Sequence, residues 1–541
     1  MPPYALPLPV TEYQAKLIGL CLGVALLSAL IAWVLNLQSR PKRTLQWGSD
    51  LFLKTFATVL APVWAFLLVD VIYSLFVMTS RFDPNEAGVD LRWHILAFVG
   101  LITALGGLVS APLGLIRVWT TERQTRTAEQ GHMTDRISKA IEQLGAEKSV
   151  KKDGTETSVP NIEVRVGGLL SLERISQDSV TYDKGRDHVR VMEILCAYIR
   201  NNAPARDAQP LPVDALAALE EDASEDDLAA YLKEIETRTE TIREWARKLP
   251  KPREDIQIAL AIIDRRDAEQ RLYEARWGKD ALPDAEWVFD APCPTLPDTE
   301  EAITDGTLKK FRTTLVEWQN RIENYKGYRP DLRGTNLQSA DLSHLNLAGI
   351  KFEGAQMQGV VSWQTQLQGA SLVGAQLQGT FLWEVQLQGA DLWDAQLQGA
   401  NLKSAQLQGA KIWNAQLQGA KIWNAQLQWA DLSGAQMQGA NLRSAKLQGA
   451  DLSGAQMSSA TSFSTATLRG AALSEVDCSM IDLTQEQLDS TFGDGSVIWP
   501  ETLTRPAHWP LGELRWNDFH DELAKWRADP AGYVPPEPPA P

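Results

Sequence analysis

The chain has 541 residues, with 68 acidic against 52 basic side chains and a formal charge of -16. That length exceeds what one hydrophobic core serves, so several domains are expected. The acidity excludes nonspecific attraction to nucleic acid, which needs clustered Lys and Arg to displace counterions from phosphates.

Composition changes twice along the chain: Leu, Val, Ala and Trp dominate the start, charge the middle third, and Gln, Ala, Leu and Gly the stretch from about residue 330 onward. Much of the acidity lies between Asp214 and Asp227 and between Asp284 and Asp305, and reads as solvated surface. Cys21, Cys196, Cys293 and Cys478 stand singly. That fits neither a zinc site nor a disulfide framework, and is compatible with a reducing compartment.

After a short segment (1–16), residues 17–37 carry no charge and are long enough, at a rise of ~1.5 Å per residue, to cross a ~30 Å hydrocarbon layer. Residues 56–78 form a second candidate span containing Asp70, and 95–116 a third without charge, bracketed by Trp93 and Trp119 as interfacial anchors would be. A transmembrane region of about three helices over 17–119 is therefore expected, without the cleavage signature of a signal peptide. Arg40, Lys42 and Arg43 lie between the first two spans, whereas 81–92 sets two Arg against three acids. The positive loop belongs inside, which puts the N-terminus outside and everything after Arg117 in the cytoplasm. The expected location is the bacterial inner membrane, multi-pass, with the lipid bilayer itself a partner. A carboxylate in hydrocarbon is costly and usually functional, which makes Asp70 a candidate intramembrane polar site. It also lies close enough to the end of its span for headgroup or interhelical contact to explain it.

The middle region (120–328) reads as helical. Met133, Ile137, Ala140, Ile141 and Leu144 share one face, Val166, Leu169, Leu170 and Ile175 a second, and Val191, Ile194, Leu195, Tyr198 and Ile199 a third. Leu228, Ile235, Ile242 and Leu249 recur every seven residues, which permits a short coiled coil, although packing within the chain is the simpler reading. Leu308, Phe311, Leu315, Trp318 and Ile322 make an amphipathic helix just before the repeats, where it is expected to cover the open end of the stack.

From Leu332 an apolar residue recurs every five positions to Met457, with Ser362 the polar exception, and a small residue, mostly Ala, stands two positions before it. A period of five fits neither a helix nor a flat strand, so each unit must turn a corner and successive turns must stack to bury the repeated face. After Met457 the phase slips by one residue and resumes through Phe463, Leu468, Leu473, Cys478 and Leu483.

Units such as Ala390-Asp391-Leu392-Trp393-Asp394 and Ala400-Asn401-Leu402-Lys403-Ser404 resemble the A(D/N)Lxx signature of pentapeptide-repeat proteins. The resemblance implies a right-handed quadrilateral β-helix over 329–485, four units to a turn, about six and a half turns and a rod roughly 30 Å long. Thr134-Asp135-Arg136, Ala140 to Gly145, Val164 to Gly168, Leu172 to Ile175, Arg186-Asp187-His188 with Met192-Glu193, Phe492 to Gly495 and Thr504 to Pro510 look like the membrane-anchored bacterial branch of that family. The segments near 204–250 and 279–325 fall outside this likeness, and a tail (486–541) ends Pro-rich. The fold class expected is a multidomain membrane protein with N-terminal transmembrane helices, a helical middle and a C-terminal solenoid.

Alternate units read Ala-Gln-Leu-Gln-Gly, which places Gln on two opposite faces and variable units on the other two. Gln376, Gln396, Gln416 and Gln436 are expected to stack as one amide ladder, and Gln366, Gln386, Gln406 and Gln426 as another. The variable faces set Trp363, Trp383, Lys403, Trp423 and Arg443 in one column and Val373, Trp393, Trp413 and Ser433 in the other. Outward Trp beside Lys403, Lys411 and Lys421 suits a protein-binding face or self-association, and Trp-on-Trp stacking explains the same residues. Some family members mimic DNA through a long acidic surface. Here eight cations from Arg333 to Arg469 nearly balance nine acids from Asp331 to Glu475, so that role is not expected.

Phosphate-loop, dinucleotide, nucleophile-elbow and zinc-helix motifs are missing, and the six histidines are isolated in sequence. His188 beside Asp187 and Arg186 is ordinary helix-start material with Asp187 as N-cap. No catalytic, metal or cofactor residue and no small-molecule substrate is assigned. The reading is a membrane-tethered binding or scaffolding protein and not an enzyme; the alternative is a channel, transporter or sensor component with the solenoid as regulatory domain.

Overall fold

The computed structural model describes residues 49–80, 90–152, 155–182, 185–214, 225–297 and 303–536. The chain divides into two compact units, Met1–His132 and Met133–Pro541.

The first unit holds helix α1 (Ser49–Ser80) and most of α2 (Asp90–Leu144), joined where Trp64 Nε1 donates to the Leu108 carbonyl at 2.6 Å. Among the described residues, Arg92–Ser110 is long and apolar enough to cross a bilayer, whereas the apolar stretch Trp64–Ser80 is shorter. The expected span 17–37 lies outside the described residues. The expected span 95–116 and the expected helical stripe from Met133 to Leu144 lie on one continuous helix, α2. Between Pro112 and Leu144 no proline interrupts good helix formers, so nothing stops it.

The second unit opens with an antiparallel hairpin, β1 (Glu147–Lys152) and β2 (Thr155–Pro160), inside the region expected to be wholly helical. The Asp153-Gly154 pair between the two strands is the sequence signal that hairpins use. Helices α3 (Ile162–Tyr182), α4 (Arg186–Asn202), α5 (Glu225–Lys248), α6 (Glu254–Asp264), α7 (Ala268–Ala275) and α8 (Asp305–Glu323) follow. Leu169, Leu172 and Ile175 of α3 pack with Val191, Leu195 and Ile199 of α4 and with Ile256, Leu260 and Ile263 of α6. Leu170, expected on the inner stripe, is 48% exposed, because the buried face follows steps of three from Leu169. The N-cap of α4 is Gly185, at φ 74°, and not Asp187. Only glycine suits that backbone here, since a Cβ would meet the Tyr273 ring at 2.3 Å. The capping acceptor is Ser179 Oγ, which receives the backbone N–H of Asp187 (3.1 Å) and of His188 (2.9 Å).

From Asp331↔Lys351 to Gln436↔Gln456, parallel bridges join each residue to the one 20 further on, so four five-residue units make each turn. The later pairs Asn441↔Ser462, Lys446↔Thr467 and Asp451↔Ala472 are 21 apart: the phase slip enters as one extra residue without breaking the ladder. Each corner closes by a bond such as Ala375 N–H to Leu372 O, 2.9 Å, with its third residue at positive φ, for example 62° at Gly374 and 54° at Asp394. Leu, Ile and Met fill the interior and Ala the tight corners.

Both ends of the stack are closed. At the start Pro204 pairs with Thr335 and Asp264 Oδ1 accepts the Asn346 N–H at 2.6 Å. At the finish β3 (Ala472–Leu473) pairs in parallel with β4 (Phe492–Gly493) around the short helix α9 (Gln485–Asp489), and α10 (Trp516–Ala528) buries Phe519, Leu523 and Trp526 beside Phe492. His520 Nε2 meets Asp451 Oδ2 at 3.0 Å, which ties α10 to the solenoid. That bond raises the His520 pKa, with burial opposing. For Asp451, burial acts upward but the bonds from His520 and Ser453 outweigh it and hold the carboxyl low. A raised histidine stabilises fully below its unfolded pKa and stops doing so as pH rises through the folded one; a depressed carboxyl loses its contribution as pH falls through its folded pKa. Protection of α10 amides from hydrogen exchange is therefore expected to decline as pH climbs past the raised His520 pKa, and His520→Ala is expected to flatten that decline.

Candidate partner-binding faces

The glycines that end the Gln units let two helices lie directly on two opposite faces. On one, α5 runs against the direction of stacking: a Cβ at Gly359 would sit 2.6 Å from the Ala246 carbonyl oxygen, and one at Gly419 2.6 Å from Thr239 Oγ1. Arg243 donates to the carbonyls of Gly399 (3.0 Å) and Gly419 (2.8 Å). The heptad residues Ile235, Ile242 and Leu249 are buried in this packing. On the opposite face α8 runs the same way, with Ile322 near Gly369, Trp318 near Gly389 and Gln319 donating to Gly409 O at 2.8 Å. The expectation that this helix covers the open end of the stack is thus corrected: it covers a side. Its spacing of three and four matches a long groove of glycines, and the end is already occupied by α4 and α6.

The Gln ladders are also offset from expectation. Gln378 Nε2 donates to Gln396 Oε1 at 2.7 Å and Gln418 to Gln436 at 2.6 Å; across the rod Gln388 donates to Gln406 at 2.6 Å and Gln408 to Gln426 at 2.7 Å. The link runs from the second Gln of one unit to the first Gln of the unit a turn later. Gln378, Gln388, Gln408 and Gln418 are buried beneath the helices, so their amides need an internal acceptor.

On the two variable faces the second residue of the unit turns back on its own backbone: Asp391 Oδ1 accepts the Trp393 N–H and Asn401 Oδ1 the Lys403 N–H, both at 3.2 Å. This fixes the next side chain outward. Trp363, Trp383, Trp393, Trp413 and Trp423 stand 38% to 46% exposed. The Lys403 ammonium lies between two rings, 4.5 Å from Trp383 and 4.0 Å from Trp423, a doubled cation–π contact. Trp393 and Trp413 stack at 5.3 Å with their planes 13° apart, and Trp363 tilts against His344 at 5.0 Å. Lys411 pairs with Glu323 of α8 at 2.7 Å. The predicted residues therefore come together as two rigid aromatic columns. Asp70 lies in the other unit, partly buried on α1, with no hydrogen-bond or ion-pair partner among the described residues.

Sequence reading missed a buried polar chain. Ser176 Oγ lies 2.7 Å from His188 Nδ1, His188 Nε2 lies 3.0 Å from Glu274 Oε1, Arg266 donates to Glu274 Oε2 at 2.8 Å and Gln270 donates to Ser176 Oγ at 2.9 Å. None of the five is more than 4% exposed, so the chain locks α3, α4 and α7 together out of contact with solvent. No signal in the sequence joins residues about 90 positions apart. Burial also pushes the Cys196 thiol up to about 11, which leaves it protonated and inert at neutral pH.

Four-unit turns, inward Leu and cornered Ala define a quadrilateral β-solenoid. Residues 331–361, 346–384, 386–424 and 425–461 match the family described as Pentapeptide repeats, and this region of the chain belongs to that family. Solved structures with a similar solenoid include full-length QnrB1, a plasmid-mediated fluoroquinolone resistance protein (15% identity, 34% of this chain and 98% of that one, TM-score 0.19). HetL, involved in heterocyst differentiation regulation in the cyanobacterium Nostoc sp. strain PCC 7120, is another (26% identity, 34% and 85%, TM-score 0.14). A third is a pentapeptide repeat protein from the Arabidopsis thaliana thylakoid lumen (30% identity, 23% and 71%, TM-score 0.11). No curated protein matches the chain.

Proposed function

We propose that this chain is a membrane-tethered cytoplasmic scaffold of the bacterial inner membrane, and not an enzyme, which holds a protein partner on the tryptophan-bearing faces of its solenoid. One observation carries the reading: the chain covers its two Gln faces with its own helices and leaves the two Trp faces open. Pre-ordered aromatic columns offer large contact area at small entropic cost, the usual make-up of interface anchors. The tether is supported by the exposed apolar side chains of α2, among them Trp93, Ile95, Leu96 and Val99, and the cytoplasmic orientation by Arg40, Lys42 and Arg43.

A second reading, a channel or sensor regulated by the solenoid, rests on Asp70, an acid on an apolar helix. Affinity capture from detergent-solubilised membranes separates the two. The quadruple variant Trp383→Ser, Trp393→Ser, Trp413→Ser, Trp423→Ser is expected to fold and to lose, at least tenfold, a protein that wild type retains. Equal recovery by both would overturn the scaffold reading, and loss of cellular function on Asp70→Asn with capture intact would favour the second.

A further inference from the structure

A second surface feature lies where the first turns of α8, the last turn of α10 and the solenoid corner at Trp429 meet. A cleft of about 320 Å³ is lined there by Lys309, Arg312, Arg469, Arg527, Trp429 and Trp526. Four cations face two carboxylates in this lining, Asp305 and Asp489, an excess of two positive charges on a chain of net charge -16.

The carboxylates are already engaged. Asp305 Oδ1 accepts from Arg469 Nη2 at 2.5 Å, and Asp489 Oδ1 accepts from Gln485 Nε2 at 2.7 Å. Arg469 turns its other nitrogen to the Ile303 carbonyl at 2.5 Å. Arg527 donates only to carbonyls, those of Gly470 (Nε, 2.8 Å) and Gly449 (Nη2, 3.1 Å). The side chains of Arg312 and Lys309 make no hydrogen bond or ion pair among the described residues. Burial, and next the charge of Arg312, pull the Arg527 guanidinium down to about 10, with Asp451 opposing. Two guanidiniums thus line one cleft, an exposed Arg312 and a partly buried Arg527 whose bonds go to carbonyls. Packing alone does not require this arrangement, because Arg312 sits on the exposed side of α8 and supports nothing.

We propose that the cleft binds a phosphate-ester anion, with Arg312 and Lys309 contacting the phosphate oxygens, Arg527 supplying positive charge behind them, and Trp429 and Trp526 walling the apolar part of the ligand. A dianion matches the excess charge, and guanidinium forks match phosphate geometry. The site lies on an edge of the rod between the covered face of α8 and α10, so it is separate from the tryptophan columns and stands independently of the scaffold reading.

Isothermal titration of the full-length, detergent-solubilised chain with inorganic pyrophosphate, at fixed ionic strength, tests it. Wild type is expected to bind saturably at one site. Arg312→Gln is expected to weaken binding at least tenfold and Lys309→Gln with Arg312→Gln to abolish it, whereas Lys403→Gln, on a tryptophan face, is expected to leave it unchanged. Arg312 and Lys309 are exposed and unpaired, so these variants should fold, and unchanged melting without ligand verifies that. Absence of saturable binding by wild type, retention of affinity by Arg312→Gln, or an equal loss in Lys403→Gln would each overturn the proposal.

Discussion

Glu274→Ala is expected to destabilise the helical module by about 3–5 kcal/mol, the cost of leaving a buried charge without its partner. The carboxylate accepts from Arg266 and meets His188, and all three side chains are almost fully enclosed. Removing it strands a guanidinium and an imidazole nitrogen where water does not reach. Glu274→Gln keeps the shape and part of the bonding, so a smaller loss of about 1–3 kcal/mol is expected. The chain has several domains, so a single global transition is the wrong readout. Hydrogen exchange resolved to α3, α4 and α7 is the appropriate one, and a loss below about 1 kcal/mol in Glu274→Ala would show that the polar chain is not what holds these helices together.

The second large effect is expected at the glycines under α8. Gly369 has φ 61°, and a Cβ there would lie 2.7 Å from Phe289 and 2.9 Å from Ile322. Gly369→Val therefore combines a backbone cost of about 1–2 kcal/mol for left-handed φ with about 1–3 kcal/mol of overpacking. Gly374 provides the matched control, since its φ is 62° but nothing lies within 4 Å of its Cβ position. Gly374→Val should carry the backbone cost alone. The difference between the two isolates the packing of α8 together with Phe289 on this corner, and should appear as deprotection of amides in Asp305–Glu323 and a red shift of Trp318 emission only in Gly369→Val. Equal behaviour of the two variants would mean that the close approach of helix to solenoid contributes nothing.

These two sites mark the boundary between what could be read in advance and what could not. The solenoid was legible because its signal is periodic and local. A Leu every five residues with Ala two before it requires corner-turning units that stack, and each turn meets only its neighbours, so the stacked solenoid and the slip after Met457 follow from the spacing, while the four-unit turn and with it the outward Trp columns came from the family resemblance. The Ala-Gln-Leu-Gln-Gly alternation likewise marked the Gln faces as different from the Trp faces.

The sequence did not reveal what covers those faces. Residues 204–250 and 279–325 lie outside the repeat pattern and outside the family likeness, yet they supply α5 and α8. Their stripes at spacings of three and four show that each helix buries one side without naming the surface it meets. That choice was made in three dimensions, where glycine corners recurring once per turn form grooves into which Ala246, Thr239, Ile322 and Trp318 fit. The Ser176–His188–Glu274 chain, the offset of the Gln amides and the cationic cleft at Arg312 and Arg527 have the same origin. Each joins side chains from separate elements, and a one-dimensional period carries no information about such pairs. Sequence alone determined the solenoid and the residues it points outward; tertiary packing decided which faces stay open, because burial of the glycine grooves by the chain's own helices leaves the two tryptophan columns exposed.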